Sequence, residues 1–177
     1  MTMRAERAGR AVVLALGSNL GDRRDILQGG VDAIAGLSEV RLIAVSPVYE
    51  TVPVGGPPQP DYLNAVLLAE TTLPSRELLD RLHEIEAAFD RVRVVRWGPR
   101  TLDIDIITVS GERSEDPELT LPHPRAQERA FVLAPWLDID PAAELPGRGP
   151  VAELLAGVEA SGIRRNGSPL VIPWTES

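Results

Sequence analysis

YLNAVLLAETTLPSRELLDRLHEIEAAF (Tyr62–Phe89) reads as a strand that runs into a helix. Tyr62 to Thr71 is an extended, mostly apolar run. Pro74 then sits where the first turn of a helix tolerates a missing N–H. Leu78, Leu82, Ile85 and Phe89 recur at helical spacing and form one apolar stripe. On the wet side, Arg76/Asp80 and Glu77/Arg81 are spaced i,i+4 as ion pairs. LDIDIITV (Leu102–Val109) follows as another strand, which makes this half strand–helix–strand.

The half before it has the same order. AVVLAL (Ala11–Leu16) is a short continuous apolar run closed by Gly17, the pattern of a buried strand. Asp22 can cap a helix whose Leu27, Val31 and Ile34 share one face. Val40 to Tyr49 alternates loosely and predicts a second strand. Two such units predict an α+β fold: a ferredoxin-like split βαβ core, an antiparallel sheet with its helices packed on one face. PVGGPPQP (Pro53–Pro60) has four Pro and two Gly in eight residues, so it is a long loop. After Ser110, Pro and Gly recur and the elements shorten, with a small helix expected over Val151–Val158. The expectation is one domain over residues 1–177, with a core from about 11 to 141 and a short C-terminal extension.

Composition narrows the function. The 177 residues are 44% hydrophobic and 25% charged, the balance of a soluble globular chain. The apolar runs fall far short of the ~20 residues a membrane-spanning helix needs. Ala11–Leu16 meets Gly17 without a small-residue cleavage site, so no signal peptide is read. There is no cysteine, which removes disulfides, thiolate catalysis and zinc–thiolate sites and suits the cytoplasm. The net charge of -8 disfavours nucleic acid and anionic membranes as partners. All 18 basic residues are Arg, so Schiff-base chemistry and a Walker-type lysine are impossible. Phosphate, if handled, is handled by Arg and metal.

Asp103 and Asp105 carry the strongest chemical signal. Residues two apart on a strand point the same way, so the two carboxylates share a face opposite Leu102, Ile104 and Ile106. Hard oxygen donors in a pair suit Mg²⁺, with phosphate oxygens and water completing the octahedron. Two solvent-facing acids would be the plainer reading of an isolated D-x-D. Arg91, Arg93, Arg96 and Arg100 lie just upstream and tip the balance, because Arg grips phosphate bidentately. His123, between two prolines, is structural or a phosphate contact. Tyr62 and Asn64 share a strand face: an ordinary edge tyrosine, or an amide and a ring for a planar heterocycle. The turn GSNLGD (Gly17–Asp22) lacks the lysine of a P-loop and reads as structural. An RNA-binding ferredoxin-like module would want basic strands with stacked aromatics, which the charge and the D-x-D strand oppose.

Four segments then carry a resemblance. LALGSNLGDR (Leu14–Arg23), SPVYETVPVGGPPQPDYLNAV (Ser46–Val66), RVRVVRWGPRTLDIDII (Arg91–Ile107) and LPHPRAQERAFVLAPW (Leu121–Trp136) resemble the 6-hydroxymethyl-7,8-dihydropterin pyrophosphokinases of folate biosynthesis. The resemblance implies transfer of the pyrophosphoryl group of ATP to the pterin's hydroxymethyl group, with AMP as the other product. It implies two Mg²⁺ ions held by Asp103 and Asp105, and phosphate chemistry assisted by Arg91 and Arg100. It places Glu86, Arg93, Trp97, Ile106, Thr120, His123 and Arg129 around ATP. It places Thr51, Tyr62, Asn64 and Phe131 around the pterin, the two aromatics sandwiching the ring. His83, Glu118 and Pro124 depart from residues that touch ATP in some members. The partners expected are these two small molecules, with the chain acting as a monomer. The loops near 53–60 and 90–97 are expected to close over ATP as lids.

Overall fold

The computed structural model describes residues 9–52, 58–90, 101–167 and 169–173. The central strand is β1 (Arg10–Ser18), flanked by β4 (Tyr62–Thr71) and β5 (Asp103–Val109), both antiparallel to it. β2 (Val40–Val45) and β3 (Tyr49–Thr51) pair with successive lengths of β4 and act as one interrupted strand. The break falls at Ser46–Val48, where Pro47 has no N–H to give a ladder. Ser46 replaces the lost regularity: its hydroxyl accepts from the Val66 N–H at 2.8 Å. The expected single strand from Val40 to Tyr49 is therefore two.

α1 (Arg23–Ala35) and α2 (Ser75–Asp90) both pack on one face, as the split βαβ pattern predicts. Asp22 caps α1, accepting from the Asp25 N–H at 3.2 Å. Leu27, Val31 and Ile34 of α1 meet Leu78, Leu82 and Ile85 of α2 over Leu14, Leu16, Leu67 and Ile104 of the sheet. Each fully buried leucine contributes about 1.5–3 kcal/mol of transfer free energy. The helix comes close because Gly30 has no side chain: a Cβ there would lie 3.1 Å from Leu102 Cδ2 and 3.3 Å from Leu16 Cδ2.

The opposite sheet face is half covered. α3 (Ala130–Ile139) and α4 (Val151–Ala156) place Val132, Leu133, Trp136 and Val151 on Val13, Val66 and Ile107. α3 has no amphipathic signature, because Val132 to Trp136 are all buried and Pro135 lies inside it. β6 (Ser114–Asp116) and β7 (Leu119–Leu121) form a hairpin beside β5, and β8 (Glu144–Leu145) with β9 (Gly149–Pro150) a smaller one. β10 (Ile163–Arg165) joins the sheet outside β3.

The surface pairs of α2 differ from the i,i+4 expectation. Arg76 reaches the β6–β7 hairpin instead, bonding Asp116 at 2.6 Å and Glu118 at 2.7 Å. Two hairpin carboxylates outbid one on its own helix. Arg81 lies 3.8 Å from Glu84. Among the described residues, no helix is long and apolar enough to cross a membrane.

Candidate functional site

The uncovered part of the second sheet face is the floor of a cleft of about 840 Å³. Strand register builds that floor. Tyr49 pairs with Asn64, Asn64 with Gly17, and Gly17 with Asp103, one row across four strands. The next row sets Val66, Ala15 and Asp105 side by side. Cross-strand partners share a face, so Asn64, Asp103 and Asp105 all project into the cleft that they line.

Gly17 separates the amide from the acids. Adjacent strands lie about 4.8 Å apart, so Asn64 and Asp103 stand on the order of 10 Å apart with bare backbone between them. A Cβ at residue 17 would fall 2.9 Å from Asn64 Oδ1. Glycine here keeps the floor open and leaves the amide oxygen unobstructed. The turn GSNLGD is therefore more than a structural turn: its first residue lines the cleft. Its Asn19 is fully buried and donates to Gln59 Oε1 at 2.8 Å and the Pro60 carbonyl at 3.3 Å. Arg23 adds a bond to the Asp61 carbonyl at 2.7 Å. Together they hold the approach to β4.

Asn64 is buried and its Nδ2 donates to Thr51 Oγ1 at 2.8 Å. One amide hydrogen is thereby committed, which orients the rest of the group. Tyr62 lines the same cleft from β4, and Phe131 lines it from the first turn of α3. The Arg129 guanidinium lies 5.5 Å from the centroid of the Phe131 ring, a cation–π distance. Arg125 and Glu128, which sequence reasoning did not single out, line the wall beside it. So do Glu159, Ser161, Gly162 and Ile163 from the C-terminal segment.

Of the residues assigned to ATP, Arg129 lines the cleft; Ile106 is on β5, Glu86 on α2, Thr120 on β7, and His123 just beyond β7. Glu86 Oε2 accepts from the Ile104 N–H at 2.9 Å. Ile106 turns its side chain into the core under α1 and α2, so it offers a ligand only backbone. Thr120 donates to the Asp116 carbonyl at 2.9 Å within the hairpin. The His123 N–H donates to the Ile107 carbonyl at 2.8 Å. His83 is exposed, and Glu118 is engaged with Arg76. Arg91, Arg93, Trp97 and Arg100 lie outside the described residues, as do most of the two expected lid loops.

Burial pushes the His123 imidazole below its usual value; Arg129 and Arg125 add to the lowering, and the charge of Asp105 opposes it. The neutral form is therefore favoured in the folded state. Its contribution to stability is full above the unfolded value of about 6.5 and declines as pH falls from there toward the folded value. Urea unfolding between pH 8 and pH 5 should show a steeper loss for the native chain than for His123→Gln. Parallel pH profiles would contradict the assignment.

The donor set is all oxygen where the two acids meet. Among the described residues, no group of three or more His, Cys, Asp or Glu side chains converges. Two carboxylates opening on a cleft fit a hard divalent cation that takes its remaining ligands from water and substrate.

These features define a ferredoxin-like α+β domain with a ligand cleft on its open sheet face. A family model described as 7,8-dihydro-6-hydroxymethylpterin-pyrophosphokinase (HPPK) matches residues 13–141, and the chain belongs to that family. Among its relatives is the 2-amino-4-hydroxy-6-hydroxymethyldihydropteridine pyrophosphokinase of Pseudomonas aeruginosa, 45% identical over 154 residues, covering 87% of this chain and 95% of the relative. The protein of the same name from Mycobacterium tuberculosis is 48% identical over 161 residues, covering 84% of each chain. A solved Plasmodium falciparum HPPK-DHPS triple mutant with STZ-DHP superimposes with a TM-score of 0.66 at 14% identity, over 86% of this chain and 44% of that one. This chain thus spans less than half of that longer protein, and the likeness concerns the fold.

Proposed function

We propose that this protein transfers the pyrophosphoryl group of ATP to 6-hydroxymethyl-7,8-dihydropterin in folate biosynthesis. The carrying observation is the row Asn64–Gly17–Asp103, which sets an amide and an acidic pair at the two ends of one open floor. A bicyclic heteroaromatic with a one-carbon arm bridges that span. Its polar edge meets Asn64, its ring lies between Tyr62 and Phe131, Thr51 orients the amide, and its hydroxyl arrives beside Asp103 and Asp105. Family membership supports the same reading.

The hydroxyl oxygen attacks the β-phosphorus of ATP, the bond from that phosphorus to the α–β bridging oxygen breaks, and AMP leaves. The hydroxyl proton passes to solvent. No covalent intermediate is required, in keeping with a chain that has no Cys and no Lys. Asp103 and Asp105 would hold two Mg²⁺. Those ions, when bound, offset phosphate charge and lower the pKa of the attacking hydroxyl. Arg91 and Arg100 balance the charge that develops on the phosphates. Glu86, Arg93, Trp97, Ile106, Thr120, His123 and Arg129 surround the nucleotide, the described ones coming from α2, β5, β7 and the arm that leads to α3. In this reading residues 1–177 act as one domain, a monomer in the cytoplasm.

Purified protein should release AMP from ATP only when the pterin and Mg²⁺ are both present. AMP release that persists without the pterin, or ADP as the main nucleotide product, would overturn the reading.

A further inference from the structure

The wall of the cleft beside Thr51 comes from outside residues 13–141. Glu159, Ser161, Gly162 and Ile163 line it, and the chain then becomes β10. Three residues of β3 lie between β4 and β10, with Ile163 opposite Thr51 and Arg165 opposite Tyr49. The pairing extends past both ends of β10. The Val52 N–H donates to the Gly162 carbonyl at 3.1 Å, and the Asn166 N–H donates to the Val48 carbonyl at 2.8 Å.

Side chains fasten the same junction. The Tyr49 hydroxyl donates to Asp138 of α3. Arg165 donates to the Tyr49 hydroxyl at 3.2 Å and to Asp138 at 2.7 Å. Beyond β10 the segment is clipped to α1, where Gln28 exchanges two bonds with the Val171 backbone at 2.7 and 2.9 Å. β10 is thus held at both ends. Without it, β3 would be a three-residue edge strand whose last residue is Thr51, and short strands at an edge fray first.

We infer that the C-terminal strand is a positioning element for the pterin end of the cleft. It holds Thr51 in place, and Thr51 in turn fixes the Asn64 amide through the 2.8 Å bond. Residues 159–165 act on pterin affinity and leave the nucleotide side untouched, since β5 lies at the other edge of the sheet. This inference rests on the reading that the cleft takes the pterin.

Arg164 provides the test. It pairs with Glu50 midway between those two ladder bonds, a hydrogen-bonded position by the alternation of antiparallel pairs. Arg164→Pro removes that N–H. Arg164→Ala keeps the ladder and removes only the 3.2 Å ion pair between its exposed guanidinium and Glu50, whose carboxylate keeps Asn166 as a partner. Calorimetric titration should show pterin binding weaker by about tenfold in Arg164→Pro. A non-hydrolysable ATP analogue should bind within about twofold of native, and Arg164→Ala should match native for both ligands. In the unliganded protein, the Asn64 side-chain amide resonances should move in Arg164→Pro. If that variant does not fold, Arg165→Ala, which leaves the ladder intact, decides: it should weaken the pterin by about threefold and Arg165→Lys should recover part of it.

Native pterin affinity in folded Arg164→Pro, or in Arg165→Ala should that variant not fold, unmoved Asn64 resonances, or equal loss of both ligands would overturn the inference. Failure of the native chain itself to bind the pterin would instead overturn the reading beneath it.

Discussion

Asp103→Asn and Asp105→Asn should each lower turnover by about 10²–10³, the effect of removing a central electrostatic group from a site where charge develops. The two acids sit on successive cleft-facing positions of β5, opposite Gly17 and Ala15 of the central strand. Neither side chain belongs to the hydrophobic core, and Asp105 is exposed. Asparagine keeps the shape and β5 keeps its ladder, so both variants should fold. Each removes one of two like charges and so relieves their mutual repulsion. What would be lost is the anionic oxygen pair proposed to hold Mg²⁺ against the phosphates. The measurement is turnover at saturating ATP, Mg²⁺ and pterin, with a thermal melt to show that the fold is intact. Near-native turnover in either folded variant would mean that the pair is not the metal site.

Asn64→Ala should weaken pterin binding by about tenfold to a hundredfold. The amide is buried, donates one hydrogen to Thr51 Oγ1, and has its oxygen over the bare backbone of Gly17. An amide has a donor and an acceptor on one plane, which is what the flat edge of a pterin requires. Truncation leaves polar atoms of the ring unpaired inside the cleft, at a cost of roughly 1–3 kcal/mol. In the proposed reading Tyr62 and Phe131 stack on the ring without reading that edge, so they would not substitute for it. Binding of a non-hydrolysable ATP analogue should hardly change, since Asn64 is two strands away from β5. Calorimetry with each ligand separates the outcomes. Unchanged pterin affinity, or equal weakening of both ligands, would show that the pterin edge lies elsewhere.

The parts of this molecule that were legible in its sequence are those whose physics is local. The strand Tyr62–Thr71 has the bounds read from its apolar run, and Leu78, Leu82 and Ile85 of α2 bury the stripe read from their spacing. The alternation at Leu102–Val109 showed the two aspartates on one face because a strand's side-chain period is two. What was not legible depends on partners distant in the chain. Gly17 looked like part of an ordinary turn; only its register between Asn64 and Asp103 shows that it keeps the floor open. α3 was hidden by Pro135 and by burial on all sides, which erases the 3.6-residue period. Arg76 had a carboxylate four residues away, yet the hairpin offers it two. β10 is three residues, Ile163–Arg165, without alternation, and is a strand only because β3 lies beside it.

The mass of the pterin product tests the central claim most directly. After incubation with ATP and Mg²⁺, mass spectrometry should find 6-hydroxymethyl-7,8-dihydropterin heavier by two phosphoryl groups, in amounts equal to the AMP formed. A pterin carrying a single phosphoryl group, or one recovered unchanged while ATP is consumed, would contradict pyrophosphoryl transfer at this site.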